Sequence, residues 1–440
     1  MRLARAWCGL ALMMWTACGV TSAGGGGGGS TAPRENTATT LTLSGTRFFV
    51  DYGNGTLTTL PDGGVVLAAL LADDKGYNAD VAIVRLDASL SLTWAMRLDE
   101  RTLPTHLVPG KDGALFVIAG DSYPGTLRVM RLDLGTGAVQ QAVEFSNMAP
   151  GKALALDDGG LLVAGNNLLR MDARLQPVWA RQIPSTHAVA VADGFIVAGI
   201  GYGDRARMTG VTLTKVSAEG AVAWRSFASP GPGNHSLTGV RSLADGSLMV
   251  GLGNDSTRGD SVAALSPFLI TTFDAQGRLR KMSRARLSQE VPTSTGTTRA
   301  PLQFGGGHSL VPMGQDTWMT FTANSGALGS DVRAHVLARF APDGSLQEAL
   351  YGGLHATSGP EGSTRSFSLS GPTLTLRQLY SGGTGCVRTP TEARFEPVEG
   401  TQEYAEGGAV QVTPLTVTPK SITRVATALS ARLESGCAVP

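Results

Sequence analysis

The sequence predicts an all-β fold, a β-propeller of four-stranded antiparallel blades, with seven blades favoured and six or eight left open. Two recurring motifs predict it. The first is an Asp-Gly turn followed at once by a short apolar run, and the second runs from a basic residue and an aspartate to a tryptophan. The first motif reads PDGGVVLAA from Pro61, KDGALFVIAG from Lys111, DDGGLLVAG from Asp157, ADGFIVAGIG from Ala192 and ADGSLMVGLG from Ala244.

Each motif corresponds to definite strands. An Asp-Gly pair tolerates positive φ angles, so it suits a tight hairpin turn. The apolar run that follows is short and rich in branched residues, which indicates a strand buried on both faces. A short strand such as Thr56–Leu60 precedes the turn, and the second motif supplies two more strands. Its clearest copies are RLDASLSLTW (Arg85–Trp94), RLDLGTGAVQ (Arg131–Gln140), RMDARLQPVW (Arg170–Trp179), KVSAEGAVAW (Lys215–Trp224) and TFDAQGRLRK (Thr272–Lys281).

Two further modules are weaker. The sixth combines DTWMTFTA (Asp316–Ala323) with RFAPDGSLQE (Arg339–Glu348), and the seventh combines GPTLTLRQLY (Gly371–Tyr380) with RFEPVEGTQE (Arg394–Glu403). Four-stranded repeats spaced by about 35 to 70 residues are typical of a propeller, in which neighbouring blades bury each other's faces. The repeats therefore predict a ring.

The closure of that ring has two candidate solutions in the sequence. Thr46–Tyr52 (TRFFVDY) precedes the first module and could be the outer strand that completes the last blade. Alternatively, C-terminal strands around Val410–Val417 and Ser421–Arg432 complete it alone.

The two motifs together resemble the quinoprotein-like repeats of bacterial secreted and lipoprotein propellers, over about residues 40 to 405. The resemblance implies blade architecture and no particular activity. Asp80 and Asp331 match an acidic residue that often precedes the third strand in such repeats, and we expect them to form loop hydrogen bonds. Quinone-dependent members usually carry an adjacent pair of cysteines, which this chain lacks. We therefore expect no quinone and no other cofactor.

The N-terminus predicts export. Arg2 and Arg5 precede the short apolar run Gly9–Trp15, as in a signal peptide. Cys18 follows small residues directly after this run, which resembles a bacterial lipoprotein signal with Cys18 as the lipidated residue, although Trp15 stands where leucine is usual. The alternative is ordinary cleavage after Ala23.

Residues 1–18 are thus predicted to be the signal, 19–38 a flexible tether and 39–440 the propeller. Six consecutive glycines, Gly24–Gly29, indicate a flexible coil. Such a tether favours an anchored globular body, which we expect as an outer-membrane or cell-surface lipoprotein. The alternative is a soluble periplasmic or secreted protein.

Two cysteines, Cys386 and Cys437, remain outside the signal region. Because an exported chain meets an oxidising compartment, they are most simply one disulfide. Its loop of about fifty residues would contribute roughly 3–4 kcal/mol to the free energy of unfolding.

The sequence holds no recognisable catalytic or metal motif. The histidines occur singly and without zinc-ligand spacing; they could converge at the propeller mouth, but surface positions are the simpler expectation. The oxygen-rich stretches Ala72–Asp80 and Gly253–Asp260 lack the order of known calcium loops. The histidines are His106, His187, His235, His308, His335 and His355.

These features favour a binding or scaffold module at the cell envelope, with a protein or glycan partner and membrane contact through the N-terminal lipid only. A net charge of +1 without a basic block disfavours nucleic acid. The alternative is a propeller enzyme, a glycan lyase or hydrolase that uses the central mouth. The loops Val291–Gly307, Gly199–Gly210 and Asp255–Ser261 are the predicted contact surface.

Overall fold

A computed structural model gives the fold of the propeller region. It describes residues 37–43, 47–48, 55–72, 78–98, 104, 106–121, 125–202, 209–230, 235–254, 268–293, 296–301, 303–313, 315–324, 333–351, 355–359, 363–370, 373–380, 392–397, 401–406, 415, 417–421, 426–428 and 431–435. Every regular element in these ranges is a β-strand. None of the described segments forms a helix that is long and apolar enough to cross a membrane.

The first strands belong to the N-terminal segment and to blades 1 to 4. They are β1 (Thr37–Leu43) and β2 (Arg47–Phe48); in blade 1, β3 (Gly55–Thr59), β4 (Val65–Ala72), β5 (Asn78–Leu86) and β6 (Leu92–Leu98); in blade 2, β7 (His106–Pro109), β8 (Ala114–Asp121), β9 (Thr126–Asp133) and β10 (Val139–Ser146); in blade 3, β11 (Ala153–Ala155), β12 (Leu161–Ala164), β13 (Leu168–Met171) and β14 (Pro177–Arg181); and in blade 4, β15 (His187–Val191), β16 (Gly194–Tyr202), β17 (Thr209–Val216) and β18 (Val222–Ser229).

The remaining strands form blades 5 to 7 and a C-terminal segment. They are, in blade 5, β19 (His235–Ser242), β20 (Leu248–Asn254), β21 (Leu269–Phe273) and β22 (Leu279–Thr293), with β23 (Gly296–Pro301) beside β22; in blade 6, β24 (Gln303–Met313), β25 (Asp316–Asn324), β26 (Arg333–Phe340) and β27 (Leu346–Tyr351); in blade 7, β28 (His355–Ser358), β29 (Thr364–Ser370) and β30 (Thr373–Leu379); and in the C-terminal segment, β31 (Glu392–Pro397), β32 (Thr401–Glu406), β33 (Lys420–Ser421), β34 (Ala426–Ala428) and β35 (Ala431–Ser435).

The protein is a seven-bladed β-propeller, as the sequence predicts. Each blade is a separate sheet of four antiparallel strands, which in blades 1 to 6 pair with their neighbours in chain order. The innermost strands of successive blades contact one another all the way round, from β3 through β7, β11, β15, β19, β24 and β28 back to β3. The ring is therefore closed.

The N-terminal strand β1 closes the ring. It pairs antiparallel with β30 and becomes the fourth strand of blade 7, for example with Leu41 opposite Leu374. The prediction that Thr46–Tyr52 completes the last blade is wrong, because Arg47 and Phe48 pair with the end of β4 in blade 1. The strand that completes blade 7 lies just before the predicted segment, and its side chain Leu41 is buried between blades 7 and 1.

The C-terminal strands β31 to β35 run around the outer rim of the ring, and we call these five strands the belt. The strand β31 pairs with β22 of blade 5, β32 with β18 of blade 4, β33 with β10 of blade 2, β34 with β6 of blade 1 and β35 with β1 of blade 7. Between these pairings, the N–H of Leu415 donates to the carbonyl of Ala180 in blade 3. The belt thus runs backwards through the blade order and adds a fifth, outer strand to most blades.

The belt corrects two sequence predictions. The fragment RFEPVEGTQE (Arg394–Glu403) is not half of a seventh blade, since its strands lie on the rims of blades 5 and 4. The C-terminal stretches do not complete the last blade alone either, because β35 joins blade 7 only outside β1. Both errors have one cause: a strand that pairs at a sheet edge looks the same in sequence whichever sheet it joins.

Among the described residues, the core consists of seven hydrophobic clusters, one at each interface between neighbouring blades. The apolar run after each Asp-Gly turn supplies the second strand of its blade, and β4 is buried along its whole length. The turns have the predicted backbone: Gly63, Gly113 and Gly159 have φ angles of 80°, 76° and 80°. The Asp-Gly motif therefore encodes a glycine-dependent turn and a strand covered on both faces.

The second motif joins each blade to the next. Arg85 binds Asp62 of its own turn (Nη2–Oδ2 2.7 Å) and donates from Nη1 to the carbonyl of Leu134 in blade 2 at 2.7 Å. Trp94 donates to the same carbonyl at 3.1 Å. Arg170 and Trp179 repeat this arrangement at the carbonyl of Ala218 in blade 4. The recurring Asp, Arg and Trp are thus structural.

Candidate functional site

The innermost strands of all seven blades enclose a cavity on the ring axis, with a volume of about 350 Å³. This volume lies near the lower end of the ~300–1,000 Å³ typical of small-molecule sites. The cavity is lined by Thr56, Leu57, Thr58, Thr59, His106, Lys152, His187, Ala188, Thr238, Gly239, Val240, Leu310, Val311, Pro312 and Thr357.

Three titratable side chains from consecutive blades lie on one side of this cavity. His106 begins β7, Lys152 directly precedes β11 and His187 begins β15. The backbone N–H of Lys152 donates to the carbonyl of Thr186 at 2.9 Å, which fixes blade 3 against blade 4. The three side chains are close enough to interact electrostatically. They are the titratable groups of the described wall.

The hydrogen bonds of the two imidazoles differ. The backbone N–H of Ala153 donates to Nδ1 of His106 at 2.9 Å, so the proton of the neutral ring lies on Nε2. His187 lies 3.0 Å from the hydroxyl of Thr186 through Nδ1, and its ring is also hydrogen-bonded to the backbone of Thr238. His187 therefore bridges blades 4 and 5, whereas His106 retains an N–H on the side away from Ala153.

Burial lowers the pKa values of all three groups. It lowers the pKa of His187 to about 3, and the charge of Lys152 adds to the effect. Burial and the same ammonium lower the pKa of His106 well below its usual range. Burial also lowers the pKa of Lys152 to about 8. At neutral pH the site therefore holds two neutral imidazoles and one ammonium.

Threonine hydroxyls line much of the remaining wall. Thr59 and Thr357 join blades 1 and 7 through their hydroxyls, whose oxygens are 2.8 Å apart. Thr238 is different: it is 2 % exposed, and its Oγ1 has no hydrogen-bond partner among the described residues. The pairing of β19 with β20 shifts register at this residue, between Leu237 and Gly239. Thr238 belongs to the cavity wall, but its hydroxyl is buried behind the surface of that wall.

The cavity wall is positive. No Asp or Glu occurs among the lining residues of the described structure, whereas Lys152 contributes an ammonium. The apolar members of the wall are concentrated on blade 6, where Leu310, Val311 and Pro312 follow one another on β24. The site can therefore offer one cation, an imidazole N–H, hydroxyl groups and an apolar surface.

A signal in the sequence marks part of this wall. Thr56, His106, Lys152 and His187 each stand six residues before the aspartate of their blade's Asp-Gly turn. In the same position blade 5 has Gly239, which follows the register shift at Thr238. Reading this position through the repeats would have shown that two of the scattered histidines face a common axis with a lysine.

The other candidates from the sequence do not join this site. His235 is buried on β19, where its backbone N–H donates to the hydroxyl of Thr209 at 3.0 Å. His308, His335 and His355 lie on strands β24, β26 and β28, with side chains outside the described set. Asp80 pairs with Arg97, as a structural role predicts. Among the described residues, no three His, Cys, Asp or Glu side chains are grouped as metal ligands would be.

Several predictions lie outside the described residues. These include Cys18, Cys386, Cys437, Asp331, the loop Asp255–Ser261 and the middle of Gly199–Gly210. The prediction of a long contact loop at Val291–Gly307 is wrong. Its residues belong to the hairpin of β22 and β23 and to the start of β24 in blade 6, where alternation of small and polar residues conceals the strand pattern.

Comparisons with known proteins assign this chain to no family. No protein-family model matches the chain, and no curated protein is similar to it in sequence. The quinoprotein-like repeat type therefore remains a resemblance. Similar solved structures include a protein of unknown function from Bacteroides caccae, with 12 % identity, a TM-score of 0.34 and coverage of 72 % of this chain and 92 % of the other.

Two further structures are similar to the same degree. A protein of unknown function from Dyadobacter fermentans has 10 % identity and a TM-score of 0.37, over 79 % of this chain and 99 % of the other. Drosophila Plexin A, solved in complex with Semaphorin 1b, has 10 % identity and a TM-score of 0.38, over 79 % and 88 %. Scores this low carry no argument about function.

Proposed function

We propose that this protein is a ligand-binding module of the bacterial cell envelope and that its ligand occupies the axial cavity. The observation that carries the proposal is the meeting of Lys152, His106 and His187 in one cavity of about 350 Å³. A concave site with a few convergent polar groups and perturbed pKa values is the usual form of a small-molecule site.

Binding fits this wall better than hydrolysis does. A glycan hydrolase of the usual type needs two carboxyl groups on either side of the scissile bond. The described wall supplies an ammonium, imidazoles and hydroxyls in their place. These groups bind and orient a ligand, so the module function that the sequence favours is also the one that the cavity supports best.

The envelope location rests on the N-terminal sequence. We propose that Cys18 is lipidated and that residues 19–38 tether the propeller to the outer membrane or cell surface. An export signal, a cysteine at the expected place and six glycines support this location. A propeller on a flexible tether can move through the space around its membrane anchor. Glycans of the cell surface, and sugars released from such glycans, lie within that space.

One experiment tests the location. Cys18→Ala should move the protein from the membrane fraction to the soluble fraction, and the mass of the mature wild-type N-terminus should include a diacylglyceryl group on Cys18. Cys8→Ala is a matched control, since it removes the other cysteine of the signal region and keeps Cys18. A mature N-terminus at Gly24 would show that cleavage follows Ala23 and that no lipid anchor exists.

A second experiment tests the cavity. Ala188 and Thr58 line it from blades 4 and 1, and neither is fully buried, so Ala188→Trp or Thr58→Trp should fill it. Because Ala188 also packs against the cluster between blades 3 and 4, circular dichroism must show that its variant is folded. Each should abolish the binding of sugars and sugar acids that ligand-observed NMR detects with the wild type. Val178→Trp is the control, because Val178 is 52 % exposed on β14. Binding that survives in both cavity variants would place the ligand elsewhere.

A further inference from the structure

We infer that the ligand of the axial cavity is a hydroxylated organic monoanion, of the class of the sugar acids, whose carboxylate binds Lys152 and His106. The inference rests on the proposed function and adds the chemical class of the ligand. Four features of the cavity lead to it: its charge, its donors, its apolar wall and its size.

The charge of the wall selects an anion. Lys152 brings one ammonium to a wall whose other described members are neutral, since burial keeps both imidazoles unprotonated at neutral pH. An ammonium and an anion form a short, charge-assisted hydrogen bond that is about twice as strong as a neutral one. One positive charge balances one negative charge. A phosphate dianion would leave a net negative charge in the cavity, which disfavours it.

The donors of the wall match a carboxylate beside hydroxyl groups. A carboxylate only accepts hydrogen bonds, and the Nε2–H of His106 and the ammonium of Lys152 only donate them at neutral pH. Because the backbone N–H of Ala153 holds Nδ1 of His106, this ring cannot turn to present an acceptor without losing a 2.9 Å hydrogen bond. Thr58, a partly buried residue of the wall, carries a hydroxyl that is both donor and acceptor, which suits a ligand hydroxyl.

The opposite wall matches the carbon frame of such a ligand. Leu310, Val311 and Pro312 present an apolar surface from blade 6, against which the C–H face of a sugar ring can pack. The volume of about 350 Å³ admits a monosaccharide or a similar small acid. Larger glycans would enter with one terminal residue only.

Isothermal titration calorimetry of the full-length protein tests the class. The probes are glucuronate, glucose and inorganic phosphate at pH 7. Glucose has the same ring without the charge, and phosphate has charge without the ring. We expect glucuronate to bind about 10- to 100-fold more tightly than either, the range for a hydrogen bond to a charged group.

Variants distinguish the effect of the Lys152 charge on binding from an effect on folding. Lys152→Met should weaken glucuronate binding about 10- to 100-fold and leave weak glucose binding unchanged. Lys111→Met is the matched control, because the ammonium of Lys111 binds Asp157 on the protein surface. Thr58→Val keeps the shape of its side chain and should weaken both sugars to a similar extent.

The pH dependence of glucuronate affinity provides a further test, because it would not follow the protonation of Lys152 if this residue were purely structural. The groups that face Lys152 from the elements packed against it are His106 on β7 and His187 on β15, and both stay neutral above pH 7. Glucuronate affinity should therefore be constant near neutral pH and fall as pH rises above about 8, where Lys152 loses its proton. Lys152→Arg should retain binding without that fall, since a guanidinium stays charged.

The outcomes distinguish the two proposals. Equal affinity for glucose and glucuronate would overturn the anion inference and leave the binding module in place, and so would tighter binding of phosphate than of glucuronate. If none of the probes binds, and Ala188→Trp changes nothing that co-purifies with the wild type, then both the anion inference and the cavity as a ligand site are wrong.

Discussion

The axial wall and the outer rim are the two edges of the same seven sheets, yet they are built differently. Each blade forms the axial wall with its own first strand, so every repeat contributes residues to the cavity. The rim is covered by a belt that belongs to no repeat and crosses blades 5, 4, 3, 2, 1 and 7 in turn. The repeats thus provide positions for chemistry at the axis, and the segment outside the repeats secures the ring.

This difference has a physical basis. The inner edges of the blades converge and protect one another, whereas the outer edge of each sheet would present unpaired N–H and C=O groups to any passing strand. The belt pairs with these groups. Its strands are short, and Lys420 and Ser421 in β33 are exposed, so its contribution comes from backbone pairing more than from buried side chains.

Removal of the belt is expected to have the largest effect on stability. Ending the chain after Tyr380 should lower the melting temperature by about 10 °C or more and cause association through the freed edges, because several strand pairings are lost together. Differential scanning calorimetry and size-exclusion chromatography measure both effects. An unchanged, monomeric truncated protein would mean that the repeats alone close the ring.

The predicted disulfide should have the next largest effect. The strands β30 and β35 flank β1 and are both antiparallel to it, with Gln378 opposite Thr37 and Ser435 opposite Thr39. Both strands therefore end beside the start of β1, at the same end of blade 7. We propose that Cys386 and Cys437, which follow these strands in sequence, form one bond by exchange with a protein disulfide of the export compartment. That bond would close the belt covalently around the ring.

Cys386→Ser together with Cys437→Ser should therefore lower the free energy of unfolding by roughly 3–4 kcal/mol in the loop-entropy model. Urea unfolding of this variant and of the reduced wild type should give the same value. Thiol labelling of the unfolded wild type provides the independent check, since two reactive thiols after export would rule out the bond.

A smaller effect is expected at the joints between blades. Arg170→Met removes the ion pair with Asp158 and the hydrogen bond to the carbonyl of Ala218. The hydrogen bond from Trp179 to the same carbonyl remains. We expect a loss of about 1–2 kcal/mol in urea unfolding, as for a half-buried charged hydrogen bond. Arg174→Ala changes an exposed residue of the adjoining turn and should have little effect. Similar losses in both variants would contradict the role of the motif.

The smallest effect concerns pH at the axis. The folded-state pKa of His187 is about 3 and that of an unfolded histidine is about 6.5. The unfolded chain therefore binds more protons between these values, and the protein loses stability as pH falls below about 6.5. His187→Asn should reduce that loss by less than about 1.4 kcal/mol per pH unit, because water in the cavity screens the charge. An unchanged slope would show that His187 titrates normally.

Much of the fold could be predicted because its signals are local. An Asp-Gly turn needs a glycine with positive φ, as at Gly63 and Gly159, and a strand covered on both faces must be apolar throughout, as β4 is. Both requirements are met within about ten residues, so the sequence displays them directly. The belt gives no such signal, because its strands pair with edges that lie far away in the chain.

The site could be predicted only in part, for the same reason. A single histidine has no meaning until its blade is placed, and His106, Lys152 and His187 lie in three different repeats. Their common spacing from the Asp-Gly turns marks them as equivalent. The bulge at Thr238, in contrast, depends on how β19 pairs with β20.

By itself the sequence determined that this chain forms repeated four-stranded blades arranged in a ring, because turn geometry and two-sided burial are properties of short segments. Only the tertiary structure decided that β1 closes the ring, that the C-terminal strands encircle it and that one lysine and two histidines share a cavity. Those outcomes depend on contacts between residues tens to hundreds of positions apart, and such contacts exist only once the chain has folded.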